Sequence, residues 1–303
     1  MAEIVAAQEQ AKGARQRQAY AYGLGTVLIW STVASAFKIA LKDLDHYQLL
    51  LVADVVSIAT LLVILAAQGR LGLLRKLTGR ELLRNCGLGA LNPFLYYLVL
   101  FKAYSLLPAQ VAQPLNYTWA ITLSLLSVPF LGQKLTRRDL AAICVSYLGV
   151  VVLSTQGRLA EFDFGNPLGV GLALLSTLIW ALYWIGNTKN STDPVLALLL
   201  NFAAAFPLIL LTTLACSALP AWGNPGLPAA AYVGVFEMGV SFVLWLMAMR
   251  LTESTARIGN LIFLSPFLSL ALIHIILGEI IHATTFLGLA LILAGNVLGQ
   301  RRG

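Results

Sequence analysis

The chain has 303 residues, of which 59% are hydrophobic and only 11% charged. Soluble domains carry about 25% charged residues, so the composition excludes an ordinary water-soluble globule and leaves one membrane domain with little else. The formal net charge of +7 would suit a nucleic-acid partner, but its distribution along the chain assigns it to topology instead.

Residues 1–18 are polar and mixed in charge, a short tail. They lack the brief apolar region and small-residue cleavage site of a secretory signal. Ten apolar segments follow, at 20–41, 47–67, 85–105, 109–131, 140–155, 168–186, 195–215, 229–249, 257–277 and 283–299. Roughly 20 apolar residues cross about 30 Å of hydrocarbon as a helix, so the fifth and tenth are short. The runs are continuous rather than alternating, which predicts helices and not barrel strands. Cys86, Cys144 and Cys216 lie in or beside different segments without metal-ligand spacing and read as small buried hydrophobes. The in-segment prolines Pro93, Pro114, Pro129, Pro207 and Pro266 are candidate kinks.

With the N-terminus placed in the cytoplasm, sixteen of the twenty Lys and Arg residues fall on the cytoplasmic side, including Arg70, Arg75, Lys76, Arg80 and Arg84 in one loop. The opposite loops hold only Lys42 and Arg158, while Lys38 and Lys102 lie inside segments. Cytoplasmic loops collect positive charge, so both termini are expected in the cytoplasm, and the basic balance has anionic lipid headgroups as its partner.

The second half echoes the first. Leu28-Ile29-Trp30-Ser31 returns 150 positions later as Leu178-Ile179-Trp180-Ala181, and Leu131-Gly132-Gln133 returns 146 later as Leu277-Gly278-Glu279. Leu148-Gly149-Val150-Val151-Val152-Leu153 likewise pairs with Leu293-Ala294-Gly295-Asn296-Val297-Leu298. A unit of five spans, repeated once, must sit upside down the second time. The predicted fold is therefore an all-α integral membrane protein of ten helices in two inverted five-helix repeats, at 19–156 and 157–303. Inverted repeats are typical of secondary transporters, with the substrate site near the midplane where the repeats meet.

Polar groups inside the segments point to that site, because a central Lys or Asp costs about 2.5–3.5 kcal/mol on insertion scales. Ser31, Ser35, Lys38 and Lys42 form one helical stripe. It reads either as the wall of an aqueous cavity or as a snorkelling Lys38 with hydroxyls bonded to their own helix. Glu237 lies about eight residues into the eighth segment, and aligning Ala103 with Ala248 places Asn92 at the equivalent position in the third. Trp30 and Trp180 sit mid-segment, where an interfacial belt does not account for them. Tyr96 is one turn beyond Asn92, while Tyr183 and Trp184 share a face with Trp180. Asp54 and Lys102 are further intramembrane charges.

The Trp in the first segment of each half, the Leu277-Gly278-Glu279 run and Leu287-Gly288-Leu289-Ala290-Leu291-Ile292-Leu293-Ala294-Gly295 resemble the drug/metabolite transporter superfamily, EamA type. Asn116-Tyr117-Thr118-Trp119 followed by Gly132-Gln133-Lys134 is similar to the YddG-type exporters of aromatic amino acids. An Arg common early in the second span of such proteins is absent here, where the chain reads Leu51-Val52-Ala53-Asp54-Val55. The resemblance implies cavity-lining helices one, three, four, six, eight and nine. The expected substrate-binding set is therefore Trp30, Asn92, Tyr96, Asn116, Tyr117, Trp180, Tyr183, Glu237 and Asn260. Lys38, Asp54, Lys102 and Glu237 are the candidates for coupling or gating.

The chain has no GxxxxGK[ST] loop, HExxH or GxSxG, so neither self-driven ATP hydrolysis nor an enzymatic centre is expected, and no cofactor or metal. Clustered mid-membrane Lys and Arg, which phosphorylated substrates would need, are also missing. The expected partners are a small amino acid-like molecule and the bilayer, with no nucleic acid, and a monomer is compatible with the sequence. The expected role is export of aromatic and other apolar amino acids by alternating access in a bacterial inner membrane.

Overall fold

The computed structural model describes residues 2–132, 136–155, 166–187, 190–252 and 260–300. These residues are helical with short connections, and no strand occurs among them. The helices are α1 (Ala2–Ala40), α2 (His46–Ala67), α3 (Gly79–Leu106), α4 (Ala109–Asn116), α5 (Trp119–Leu131) and α6 (Arg137–Ser154). After these come α7 (Pro167–Asn187), α8 (Pro194–Cys216), α9 (Leu227–Leu251), α10 (Ser265–Leu277) and α11 (Ala283–Gln300). Six of them are long and apolar enough to cross a bilayer: α1 from Gly13 onward, α2, α3, α7, α8 and α9. The apolar stretches in α6, α10 and α11 are shorter, and the 109–131 segment is broken between α4 and α5.

Capping residues set several starts. Asp45 accepts from the Tyr47 and Gln48 amides at 2.8 and 2.9 Å and opens α2. Thr78 and Glu81 form a reciprocal capping box that starts α3 at Gly79, six residues before the apolar run expected at 85. Asp193 caps α8 and also pairs with Arg70 at 3.2 Å. Each cap satisfies amides that would otherwise have no intrahelical partner.

The helices pack in a regular scheme: α1 against α9, α3 against α7, α2 against α8, and α6 against α11. The last pair is the closest, because glycines face each other. A Cβ on Gly149 would lie 2.6 Å from the Gly288 carbonyl oxygen, and one on Gly288 would lie 2.9 Å from that of Gly149. Tight apposition of small residues is how helices associate where lipid tails remove the hydrophobic drive. The same logic explains the outer surface, where Val63 on α2 and Leu211 on α8 are 67% and 65% exposed. The cysteines differ from expectation for this reason. Cys86, Cys144 and Cys216 are all exposed, since an apolar residue gains little from burial when the surface faces hydrocarbon.

The prolines also behave unequally. Pro207 sits inside a continuous α8, and Pro266 occupies the first turn of α10, where its missing N–H costs nothing. Pro93 does interrupt its helix. The preceding Asn92 takes extended angles, φ −143° and ψ 117°, as a residue before proline tends to do.

Candidate functional site

Two helices deviate from α geometry at matching places. Helix α3 is kinked at Asn92, whose angles are not helical, and in α9 the segment Val233–Val240 is π-helical around Glu237. Asn92 and Glu237 are the pair that the sequence alignment places in register. Single π-turns insert a residue, redirect the side chains and often mark functional sites. The bulge in α9 needs close support, which α2 supplies. A Cβ on Gly234 would lie 2.5 Å from the Ala53 carbonyl oxygen, and Ser57 donates to the Met238 carbonyl at 2.8 Å.

Glu237 reaches a cavity of about 100 Å³ in the middle of the bundle. Five of the six tryptophans in the chain line it: Trp30, Trp119, Trp180, Trp184 and Trp245. The sixth, Trp222, is fully exposed. Tyr96, Tyr104, Tyr117, Phe37 and Phe242 add further rings, and Gln113 and Asn116 add amides. The rings contact one another in a chain. Tyr96 lies 4.6 Å from Trp180, Trp180 lies 5.8 Å from Phe242, and Trp30 lies 5.5 Å from Trp245, between ring centroids.

Polar contacts hold this wall in place. Trp30 donates its indole N–H to Ser241 Oγ at 3.0 Å, and Ser241 donates to the Glu237 carbonyl at 2.6 Å. Tyr96 donates to Asn116 Oδ1 at 3.4 Å, and Asn116 donates to Ser176 Oγ at 3.0 Å. Tyr97, behind the wall, donates to Glu237 Oε1 at 3.2 Å. Glu237 Oε2 is buried without a protein partner, as are Gln113 Oε1 and Trp184 Nε1. All three belong to residues on the cavity wall.

Of the residues expected from sequence, the structure brings Trp30, Tyr96, Asn116, Tyr117, Trp180 and Glu237 onto this wall. Asn92 is fully buried beside the Tyr183 hydroxyl, off the wall. Tyr183 lines a second cavity of about 190 Å³ together with Asn187, Asn190 and Thr192. Trp184, Phe242 and Trp245 border both cavities, so the second extends the first toward the face that carries residues 68–78 and 190–193. The Asn260 side chain lies outside the described residues. Asp54 is completely buried in α2 with neither oxygen partnered, and it does not border the central cavity. Lys102, half-buried in α3, borders none of these cavities either.

Of the α1 stripe, Ser31 and Ser35 do not border the central cavity. Ser31 and Ser35 are buried in packing, with Ser31 bonded to the Val27 carbonyl at 2.6 Å and in contact with Ser265 Oγ at 3.4 Å. Lys38 reaches instead to the end of α3. Its Nζ donates to the Tyr104 and Leu107 carbonyls, both at 3.0 Å, at the end of α3. Glu279 complements it one residue beyond the turn at Gly278, where φ is +69°. Its carboxylate accepts from the Ala109 and Gln110 amides at 3.0 and 3.2 Å, at the start of α4. A cation at a helix C-terminus and an anion at a helix N-terminus are both favourable placements. The pair thus ties α1 and the end of α10 to the α3–α4 corner. Beyond this tie, a surface pocket lined by Lys38, Pro108 and Glu279 shares no residue with the central cavity.

Sequence reasoning missed Trp245, Phe242, Trp119, Gln113 and Glu279 as contributors. A signal existed for Trp245, two helical turns after Glu237 and so near the same face. Glu279 stood in the repeated Leu277-Gly278-Glu279 run, but no letter pointed to its partners, backbone amides 169 and 170 residues away.

This fold of broken, ring-lined apolar helices is that of a membrane transporter. The EamA-like transporter family matches residues 17–155 and again 167–298, and the chain belongs to that family. An "Uncharacterized transporter" of Archaeoglobus fulgidus is 26% identical over 278 residues, covering 90% of this chain and 94% of its own length. A "Probable terminal-alkyne amino-acid exporter" of Streptantibioticus cattleyicolor is 27% identical over 286 residues, covering 91% of each chain. A solved structure titled "Crystal structure of protein" superposes with a TM-score of 0.66 at 20% identity, covering 93% of this chain and 96% of its own. That likeness concerns the fold alone.

Proposed function

We propose that the chain is a secondary transporter that exports small amphiphilic metabolites, with aromatic and other apolar amino acids as its main substrates. In this reading ten helices cross a bacterial inner membrane as two inverted units, with both termini and loop 68–78 in the cytoplasm. The observation that carries it is the convergence of five tryptophans and one buried carboxylate on a single mid-bundle cavity. Such a site offers ring surface to an apolar side chain and an acceptor to an ammonium group. Stacked or edge-on aromatic pairs are worth about 0.5–1.5 kcal/mol beyond area burial.

The packing scheme supports the inverted repeat. Exchanging each segment for its counterpart five places on turns the α1–α9 pair into α7–α3, and it leaves the α2–α8 and α6–α11 pairs unchanged. Alternating access is supported by the asymmetry between the two faces. The Lys38 and Glu279 contacts join helices on one side, which in this reading is the closed side, while the second cavity leads from the aromatic wall toward Asn190 and Thr192 on the other. The direction, export, rests on the resemblance and on the name of the Streptantibioticus relative.

Purified protein in liposomes, offered a panel of radiolabelled amino acids with and without a pH gradient, tests the proposal. Saturable flux of phenylalanine, tyrosine, tryptophan and leucine, with little flux of aspartate, is the expected result. Absence of flux for every amino acid on the panel would remove this substrate class.

A further inference from the structure

Two buried acceptors on the wall of the central cavity have no partner in the protein, Glu237 Oε2 and Gln113 Oε1. Donors are more plentiful there. Trp184 Nε1 is buried without a partner as well, and Trp119, Trp180 and Trp245 carry further indole N–H groups. The proposed function assigns an ammonium group to Glu237 and leaves the second acceptor unused. Gln113 is only 3% exposed, and a buried acceptor without a bond forfeits its full desolvation free energy. Asn116, one turn further along α4, differs in this respect: it accepts from Tyr96 and donates to Ser176.

The two acceptors stand at different depths. Helices α4 and α9 both begin at the face of loop 41–45, because Lys38 donates to the Leu107 carbonyl just before α4 and Asn224 donates to the Asp43 carbonyl just before α9. Gln113 follows the start of α4 by four residues, and Glu237 follows the start of α9 by ten. At 1.5 Å per residue they lie about 6 and about 15 Å below that face. Phe37 and Tyr104, also on the wall, share the level of Gln113, three and two residues from the ends of α1 and α3. Trp184 lies at the other end, where the second cavity begins. The separation of about 9 Å between the two acceptor positions is comparable to the span of an aromatic amino acid from its amino group to a substituent on its ring.

Resting on the reading of this cavity as the transport site, we infer that Gln113 is a specificity-determining residue that accepts a hydrogen bond from a donor on the substrate's ring. The preferred substrates are then aromatic amino acids with a ring O–H or N–H, tyrosine and tryptophan, ahead of phenylalanine and leucine. The ring points toward Phe37 and Tyr104, the ammonium lies at Glu237, and the carboxylate lies toward Trp184. A site built to pair with a substrate O–H or N–H discriminates against the analogue that lacks it, since the buried partner is then left unpaired.

Three para-substituted phenylalanines of similar size decide it. Proteoliposomes loaded with unlabelled phenylalanine take up the labelled amino acid by exchange, and external tyrosine, 4-aminophenylalanine and 4-fluorophenylalanine compete for that uptake. The first two carry a ring donor, whereas fluorine offers none. On wild-type protein both donor compounds should compete at least fivefold more strongly than 4-fluorophenylalanine. In Gln113→Met or Gln113→Leu, which remove the amide, the advantage should fall to twofold or less, with 4-fluorophenylalanine within threefold of its wild-type potency.

A wild-type advantage below fivefold overturns the inference without any variant and leaves the transport site standing. An advantage that stays above twofold in the Gln113 variants, or a parallel loss of all three competitors in them, overturns it as well, because another group then reads the ring or Gln113 is structural. If wild-type protein exchanges no amino acid at all, the proposed function fails first and the inference with it.

Discussion

Removing the Glu279 carboxylate should open the face that holds loop 41–45. Its two oxygens accept from the Ala109 and Gln110 amides, and hydrogen bonds to a charged group contribute about 1.5–3 kcal/mol each. Glu279 is half-buried, so the lower end applies, about 3 kcal/mol for the pair. Glu279→Gln keeps one acceptor oxygen and loses the charge, which forfeits about half of that. With tenfold per 1.4 kcal/mol, the closed state should lose about tenfold in relative population in the Gln variant and about a hundredfold in Glu279→Ala. The gain in open population saturates once the open state predominates.

A cysteine at Val33, which lines the central cavity, provides the readout in a background with Cys86, Cys144 and Cys216 replaced by serine. The labelling rate with an impermeant maleimide, applied from the face that holds loop 41–45, should rise by those factors. Lys38→Met, which removes the companion contacts to Tyr104 and Leu107, should act in the same direction. Unchanged labelling in both Glu279 variants, at normal expression, would refute the reasoning, because the tie would then contribute nothing to closure.

Trp30→Ala and Trp180→Ala should each reduce flux of aromatic substrates several-fold more than flux of alanine, and an equal loss across substrates at constant expression would mark the rings as structural. Gly288→Val forces a side chain into a gap where the Cβ alone would sit 2.9 Å from the Gly149 carbonyl oxygen. Overpacking of this kind costs about 1–3 kcal/mol, so the melting temperature in detergent should fall measurably, whereas Gly171→Ala, with open space around it, should leave it unchanged. Cysteines introduced within 1–18 and within 158–163 should react from opposite sides of the membrane, and reaction of both from one side would exclude the proposed orientation.

The sequence by itself determined the chemistry of the surface and the presence of helices. Continuous apolar runs allow only internally bonded backbone in a bilayer, so membrane helices near 47–67, 168–186 and 195–215 were legible before any contact was known, and they are α2, α7 and α8. Periodicity and internal repetition also marked Trp30, Trp180 and Glu237, because a polar or aromatic residue in mid-span is conspicuous against Leu and Val. The tertiary structure decided which of the conspicuous residues meet. Asn92 and Glu237 occupy matching irregularities, yet Glu237 faces the cavity while Asn92 packs beside Tyr183, because the kink before Pro93 and the π-turn at Glu237 redirect side chains in ways that letter spacing does not encode. Asp54 was as visible as Glu237 and lies off the cavity, since burial cost is the same for a carboxylate in any buried place. Glu279 illustrates the reverse: marked in the sequence only as part of a repeated Leu-Gly-Glu run, it acquires its contacts from backbone amides at Ala109 and Gln110. Backbone donors are identical at every position, so only the folded path of the chain selects which of them a carboxylate will find.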